Sequence, residues 1–313
     1  MVTALALGAA LAYGVADFMG GAASRRAAVL RVLLISVPAG LVCLTAAALL
    51  VGGAPTGAGL AWGAASGLAG GAGLIAFYRA LAQGPMSVVA PVSALTAAVL
   101  PVALGTLRGE RLDGTVLLGV VLCVLAIGLV SMEEPGPADP VRRSGSRLRR
   151  AVSSGPAMAA FSGAAFGAFF ILLHEAGDTG SLWPVATARL GNLLVVGAAL
   201  LALRLARRPA LSPAGPAERS TERRAAGPGP TLLGLTGVPL LLAACSGVLD
   251  GLANALYYLA ARQGLLSLAA VLTSLYPAVT VLLARLVYSE RLRTVQRVGL
   301  ALAATGVTLV TVG

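Results

Sequence analysis

The sequence predicts an all-α polytopic membrane protein: ten transmembrane helices arranged as two inverted five-helix repeats. Three observations carry this expectation: the composition, the spacing of the apolar runs, and an internal similarity at a shift of 180 residues. Of 313 residues 58% are hydrophobic and 11% charged, with a mean hydropathy of +0.89. A soluble domain carries about 25% charged residues, so most of this chain cannot face water. Ten apolar runs recur, at 2–20, 29–51, 58–81, 86–107, 114–131, 155–173, 182–204, 235–261, 265–287 and 294–313. Each is long enough to cross a hydrocarbon layer about 30 Å thick. The runs are continuous instead of alternating, which excludes a β-barrel.

Span 1 lacks a basic leader, and its end reads "DFMGGAASRR" instead of a small-residue cleavage site, so it is expected to be retained. Within it Tyr13 and Asp17 are four residues apart and share a helical face. Asp17 lies near the end of the run, where a helix-terminus role and a cavity role both fit. Cys43, Cys123 and Cys245 fall inside spans 2, 5 and 8. Odd in number and scattered through spans, they read as free, packed thiols and not as a disulfide or metal site. Span 3 carries Gly63, Gly67 and Gly71 at four-residue spacing, which lets helix backbones approach closely. Span 4 runs into a charged corner, "GERL" at 109–112, before span 5.

Span 6 presents Phe166, Phe169 and Phe170 on one face and closes on His174-Glu175, at a solvated end. Arg189 lies about 10 Å into span 7 by the helical rise. There it can neutralise a carboxylate or a substrate anion, or snorkel to the interface. Span 8 places Ser246, Asp250, Asn254, Tyr257 and Tyr258 on one face. A charge at the bilayer centre costs about 2.5–3.5 kcal/mol on insertion scales, so Asp250 is expected to face a cavity or a partner. It is the candidate proton site. Tyr276-Pro277 in span 9 is a candidate kink, and "SERL" at 289–292 turns the chain into span 10.

The two charged corners are one feature written twice. Shifted by 180, residues 64–130 align with 244–310 without a gap. Identities include Ser66/Ser246, Gly67/Gly247, Gly71/Gly251, Tyr78/Tyr258, Gln83/Gln263, Gly84/Gly264, Ser87/Ser267, Glu110/Glu290, Arg111/Arg291 and Leu112/Leu292. The aligned first copy has Gly70 and Leu74 where the second has Asp250 and Asn254. The expected organisation is a first repeat over 1–132, an Arg/Pro-rich linker over 133–154, and a second repeat over 155–313 with an insert at 205–234. Five spans are an odd number, so the second repeat enters the bilayer upside down. That is an architecture of secondary transporters, with substrate bound at the midplane between the halves.

The net charge of +11 resembles a nucleic-acid signature only until its location is considered. All 23 basic residues are arginines, and two Pro/Gly/Ser-rich connections hold eleven of them. The connections after odd-numbered spans, with their helix ends, hold 19, and those after even-numbered spans hold three. Arginine excess marks the cytoplasmic side. Both termini are therefore expected outside, in an inner or plasma membrane crossed many times. No nucleic-acid partner is expected, and a monomer and a homodimer both fit the sequence.

"AYGVADFMGG" with "SRR" in span 1, "YRALAQGPMSVVAPVSAL" through spans 3 and 4, the two corners and Arg189 together resemble the EamA family. This is the ten-helix branch of the drug/metabolite transporter superfamily. Its usual Trp-Gly appears here as Tyr13-Gly14 and Phe166-Gly167. The resemblance implies movement of small metabolites, with helices 1, 3, 4, 6, 8 and 9 lining a central cavity. It also implies cytoplasmic termini, where the arginine distribution implies the opposite. Tyr13, Asp17, Tyr78, Phe166, Arg189, Asp250, Asn254, Tyr257, Tyr258 and Tyr276 are the candidate cavity residues.

The expected function is secondary-active transport, as an exporter of a small metabolite or drug by alternating access. The partners are that molecule and the lipid bilayer; no cofactor is expected. A channel, or a non-transporting receptor or scaffold, is the alternative, although no selectivity-filter run or ring of like charges occurs. With one His and no HExxH, GxSxG or Walker loop, an enzyme is not expected.

Overall fold

A computed structural model describes residues 2–107, 114–130, 155–176, 181–206, 235–263, 273, 275–290 and 293–312. The 109–112 corner, the 133–154 linker, nearly all of the 205–234 insert, and Gly264, Ser267, Arg291 and Leu292 lie outside them. Ten helices are present: α1 Val2–Arg26, α2 Val29–Val51, α3 Gly57–Gln83, α4 Met86–Leu107 and α5 Gly114–Val130, then α6 Gly155–His174, α7 Trp183–Ala206, α8 Val238–Gln263, α9 Tyr276–Tyr288 and α10 Thr294–Val312. Among the described residues, six are long and apolar enough to cross a membrane. The all-helical architecture is that of a polytopic membrane protein.

Large apolar side chains point outward: Val42, Leu49, Leu50, Leu194 and Leu286 are each at least 67% exposed. The interior is instead rich in Ala, Gly and Ser. This inversion suits lipid, which removes the hydrophobic drive between helices and leaves close backbone packing to hold them.

Helix α3 packs on α6 and α7, and α8 packs on α1 and α2. α4 lies against α6, α9 against α1, and α5 against α10. The glycine rows make two of these contacts. A methyl group added to Gly67 would collide with the Ala188 carbonyl of α7, and one added to Gly247 with the Ser36 carbonyl of α2. The thiols of Cys43, Cys123 and Cys245 are free.

Two elements differ from expectation. α1 continues past residue 20 to Arg26, so Asp17 sits in the helix interior and not at a terminus. Gly20 and Gly21 permit the extension because Tyr78 and the Met86 and Leu81 side chains occupy the space a β-carbon would need there. α9, as described, begins at Tyr276, with Pro277 in its first turn. Its missing N–H is harmless in that turn, so Pro277 opens the described helix; most of span 9 before it, where a kink would show, lies outside the described residues.

Candidate functional site

A cavity of about 1460 Å³ lies among the helices. Eight of the candidate residues line it: Tyr13, Asp17, Phe166, Arg189, Asp250, Asn254, Tyr257 and Tyr276. On its wall lies an ion pair between the Arg189 guanidinium of α7 and the Asp250 carboxylate of α8. Arg189 is 8% exposed, so it does not snorkel; it reaches inward to a partner on the next helix. Gly40 of α2 packs beside it: an added β-carbon would press on the Gly247 carbonyl at 2.9 Å and only touch the guanidinium, at 3.7 Å. One turn along α8, the Asn254 amide donates to the Asp250 carbonyl at 2.7 Å.

The polar face of α8 divides three ways. Ser246 donates to the Ala16 carbonyl at 2.8 Å and shares a 2.9 Å hydrogen bond with the Tyr78 hydroxyl. Asp250, Asn254 and Tyr257 face the cavity. Tyr258 packs against a cluster holding Leu44, Ala48, Leu182, Ala186 and Ala255. The repeat-equivalent tyrosines Tyr78 and Tyr258 are therefore not among the lining residues. Tyr78 lies flat on α1 because Gly20 has no side chain, and its hydroxyl is spent on Ser246.

Aromatic walls stand on both sides. The Tyr13 and Tyr276 rings are 5.9 Å apart and tilted by 55°. Opposite them Phe166 meets Phe77 edge-on at 5.9 Å, and Phe169 meets Phe170 at 5.2 Å. Gly73 and Gly70 of α3 make space for Phe166 and Phe169. Gly70 and Leu74, which occupy the Asp250 and Asn254 positions of the first copy, also line the cavity.

Among the lining residues that escaped the sequence reading, one is polar, buried and unsatisfied. Asn192 is 3% exposed, and its side-chain oxygen has no hydrogen-bond partner among the described residues. Its position three residues after Arg189, on the same helical face, was the available signal.

At the arginine-rich end, Glu290 does more than terminate its own corner. Its carboxylate pairs with Arg25 at 3.0 Å and accepts the Met86 and Ser87 amide N–H groups at 3.2 and 3.0 Å. A carboxylate satisfies the unpaired donors at a helix start and meets the positive end of the α4 dipole. Arg25 donates to the Leu81 and Gly84 carbonyls at the end of α3, and stacks 4.4 Å over the Tyr288 ring. One ion pair thus ties α1, the α3–α4 turn and the α9–α10 corner together.

Burial pushes the Glu290 carboxyl up, but hydrogen bonds from Ser87, Arg25 and Met86 outweigh it and hold it below the ordinary value of 4.5. A depressed folded-state pKa stabilises above the unfolded value and is lost as pH falls through the folded one. Wild-type thermal stability should therefore decline below about pH 4.5. Glu290→Gln should melt earlier at pH 7, by the roughly 1.5–3 kcal/mol of a hydrogen bond to a charged group, and lose part of that acid dependence. Superimposable pH–melting profiles for the two proteins would remove the ion pair from the stability of this end.

Comparison with known proteins adds three findings. The model of the EamA-like transporter family matches residues 153–312, just over half of the chain. No curated protein matches the sequence. A solved structure described only as "Crystal structure of protein" is similar over 98% of this chain and 95% of its own, with a TM-score of 0.52 and 16% identity. At that identity the likeness concerns the fold.

Proposed function

The chain belongs to the EamA-like transporter family and is a multi-pass membrane transporter, and from that premise we propose that it exports a small metabolite or drug by secondary-active, alternating-access transport. The observation that carries this reading is the cavity between the helices, with a part-buried ion pair on its wall. A charged pair in such a place stays soluble in lipid only while both partners are satisfied. It is a natural element for a change that both sides of the membrane can drive.

The alternation rests on two inverted repeats, 1–132 and 155–313, joined by the 133–154 linker. Exchange of contacts supports them. The pairs α1–α8 and α6–α3 are equivalent if the halves swap, as are α3–α7 with α8–α2 and α4–α6 with α9–α1. Gly14 meets Tyr276 and Val279 of α9, while Gly167, in the matching Phe-Gly pair, meets Ala97 and Leu100 of α4. Both termini lie on the extracytoplasmic side, as the arginine distribution indicates. Arg25 and Glu290 then shut the cytoplasmic end.

Coupling runs through Asp250. The charged and titratable groups near it are Arg189 of α7, with which it pairs, Tyr13 and Asp17 of α1, Cys43 of α2 and Tyr78 of α3. A proton on Asp250 releases the guanidinium of Arg189 and separates α7 from α8. The test is uptake and efflux of a metabolite library in oriented vesicles, with Asp250→Asn beside wild type. Wild type should move at least one class of compound, driven by a pH gradient. The variant should lose the gradient response and keep exchange. Gradient-driven transport undiminished in Asp250→Asn would remove the proton from this residue.

A further inference from the structure

Three ionisable side chains, from α1, α7 and α8, line the cavity, and only two of them are partnered. Arg189 and Asp250 cancel. Asp17, on the same cavity wall as Tyr13, has no ion pair and no side-chain hydrogen bond among the described residues. Arg285 and Arg297, which also border the cavity, are exposed at its arginine-rich end, and Glu290 is matched there by Arg25. Asp17 is thus left as a carboxyl group without a partner inside a membrane, where a carboxylate needs one.

A second observation points the same way. The Asn192 side-chain oxygen is buried, borders the cavity and has no donor. Both groups can accept hydrogen bonds, and a buried acceptor left without a donor is costly. What the cavity lacks is a positive charge bearing N–H groups. The faces of Tyr13, Tyr276 and Phe166 are also what attracts a cation over a ring.

We propose that Asp17 is the counter-charge for a positively charged, amine-bearing substrate, with Asn192 as a second acceptor and the aromatic walls enclosing its body. This rests on the transporter reading and names the substrate class for that cavity. It also gives the coupling an electrostatic cause. The groups that act on Asp17 are Asp250 of α8, Tyr78 of α3 and Tyr276 of α9. The central region accommodates one extra positive charge, either the substrate's ammonium at Asp17 or a proton at Asp250. Each occupant disfavours the other, so their movements oppose.

The test uses binding to the full-length protein in detergent. The probes are phenethylamine, tyramine and benzyltrimethylammonium, set against the neutral 2-phenylethanol and the anionic 3-phenylpropionate. The cations should bind at least tenfold tighter than their neutral and anionic counterparts. Asp17→Asn should erase that preference, while Asp17→Glu should keep most of it. Asn192→Leu should weaken primary amines more than the quaternary probe, which has no N–H to donate. Equal binding of all three charge types, or a cation preference that survives Asp17→Asn in a folded protein, would overturn the proposal. Vesicles that carry neutral or anionic compounds with the same Asp17 independence would overturn it while leaving transport intact. Absence of any transport would instead fall on the transporter reading.

Discussion

Arg189→Ala should lower stability by about 3–5 kcal/mol, the penalty for removing one partner of a buried ion pair. Its guanidinium is 9% exposed and the Asp250 carboxylate 26%, so the abandoned charge cannot simply be rehydrated. The loss should show as a large fall in the detergent melting temperature. Replacing both residues with apolar side chains, Arg189→Met with Asp250→Leu, should recover much of it, because no lone ion remains. The double variant should be folded yet unable to respond to a proton gradient. A single variant as stable as wild type, or a double variant no better than the single, would show that this pair does not hold α7 to α8. A stable double variant with normal gradient-driven transport would confine the pair to structure.

Gly67→Val and Gly247→Val should each destabilise the protein by about 1–3 kcal/mol or more, the usual range for overpacking. The figure belongs at the upper end, since the obstacle in each case is a backbone carbonyl on the facing helix and cannot turn aside. Gly197→Ala is the internal control: nothing lies within 4 Å of a β-carbon at that position of α7. It should be neutral or gain up to about 1 kcal/mol from the lower helix cost of alanine. Melting of the three variants beside wild type decides the matter. Tolerance of valine at both positions 67 and 247 would mean that the α3–α7 and α2–α8 contacts are looser than the glycine faces require.

The number of helices and their membrane nature follow from local facts that any window of sequence contains. An apolar run of sufficient length must be a helix in lipid, because each helix satisfies its own backbone hydrogen bonds. The glycine rows were legible for the same reason, since four-residue spacing marks one face whatever lies opposite. Asp250 was legible as a misfit, and so was Arg189. That they are each other's partner was not, because 61 residues and a connection separate them. Nor does position along a span say which tyrosine meets the cavity. Tyr78 and Tyr258 match under the repeat, yet one is spent on Ser246 across a glycine and the other is packed among apolar neighbours. Glu290 reads locally as half of a corner, while its partners lie on α1 and at the start of α4. The unpartnered carboxyl of Asp17 and the idle oxygen of Asn192 emerge only once side chains from several helices are placed together. Sequence by itself determined which groups lipid will not tolerate uncompensated; the tertiary structure decided which of them compensate one another and which do not, because electrostatic pairing acts through space and not along the chain.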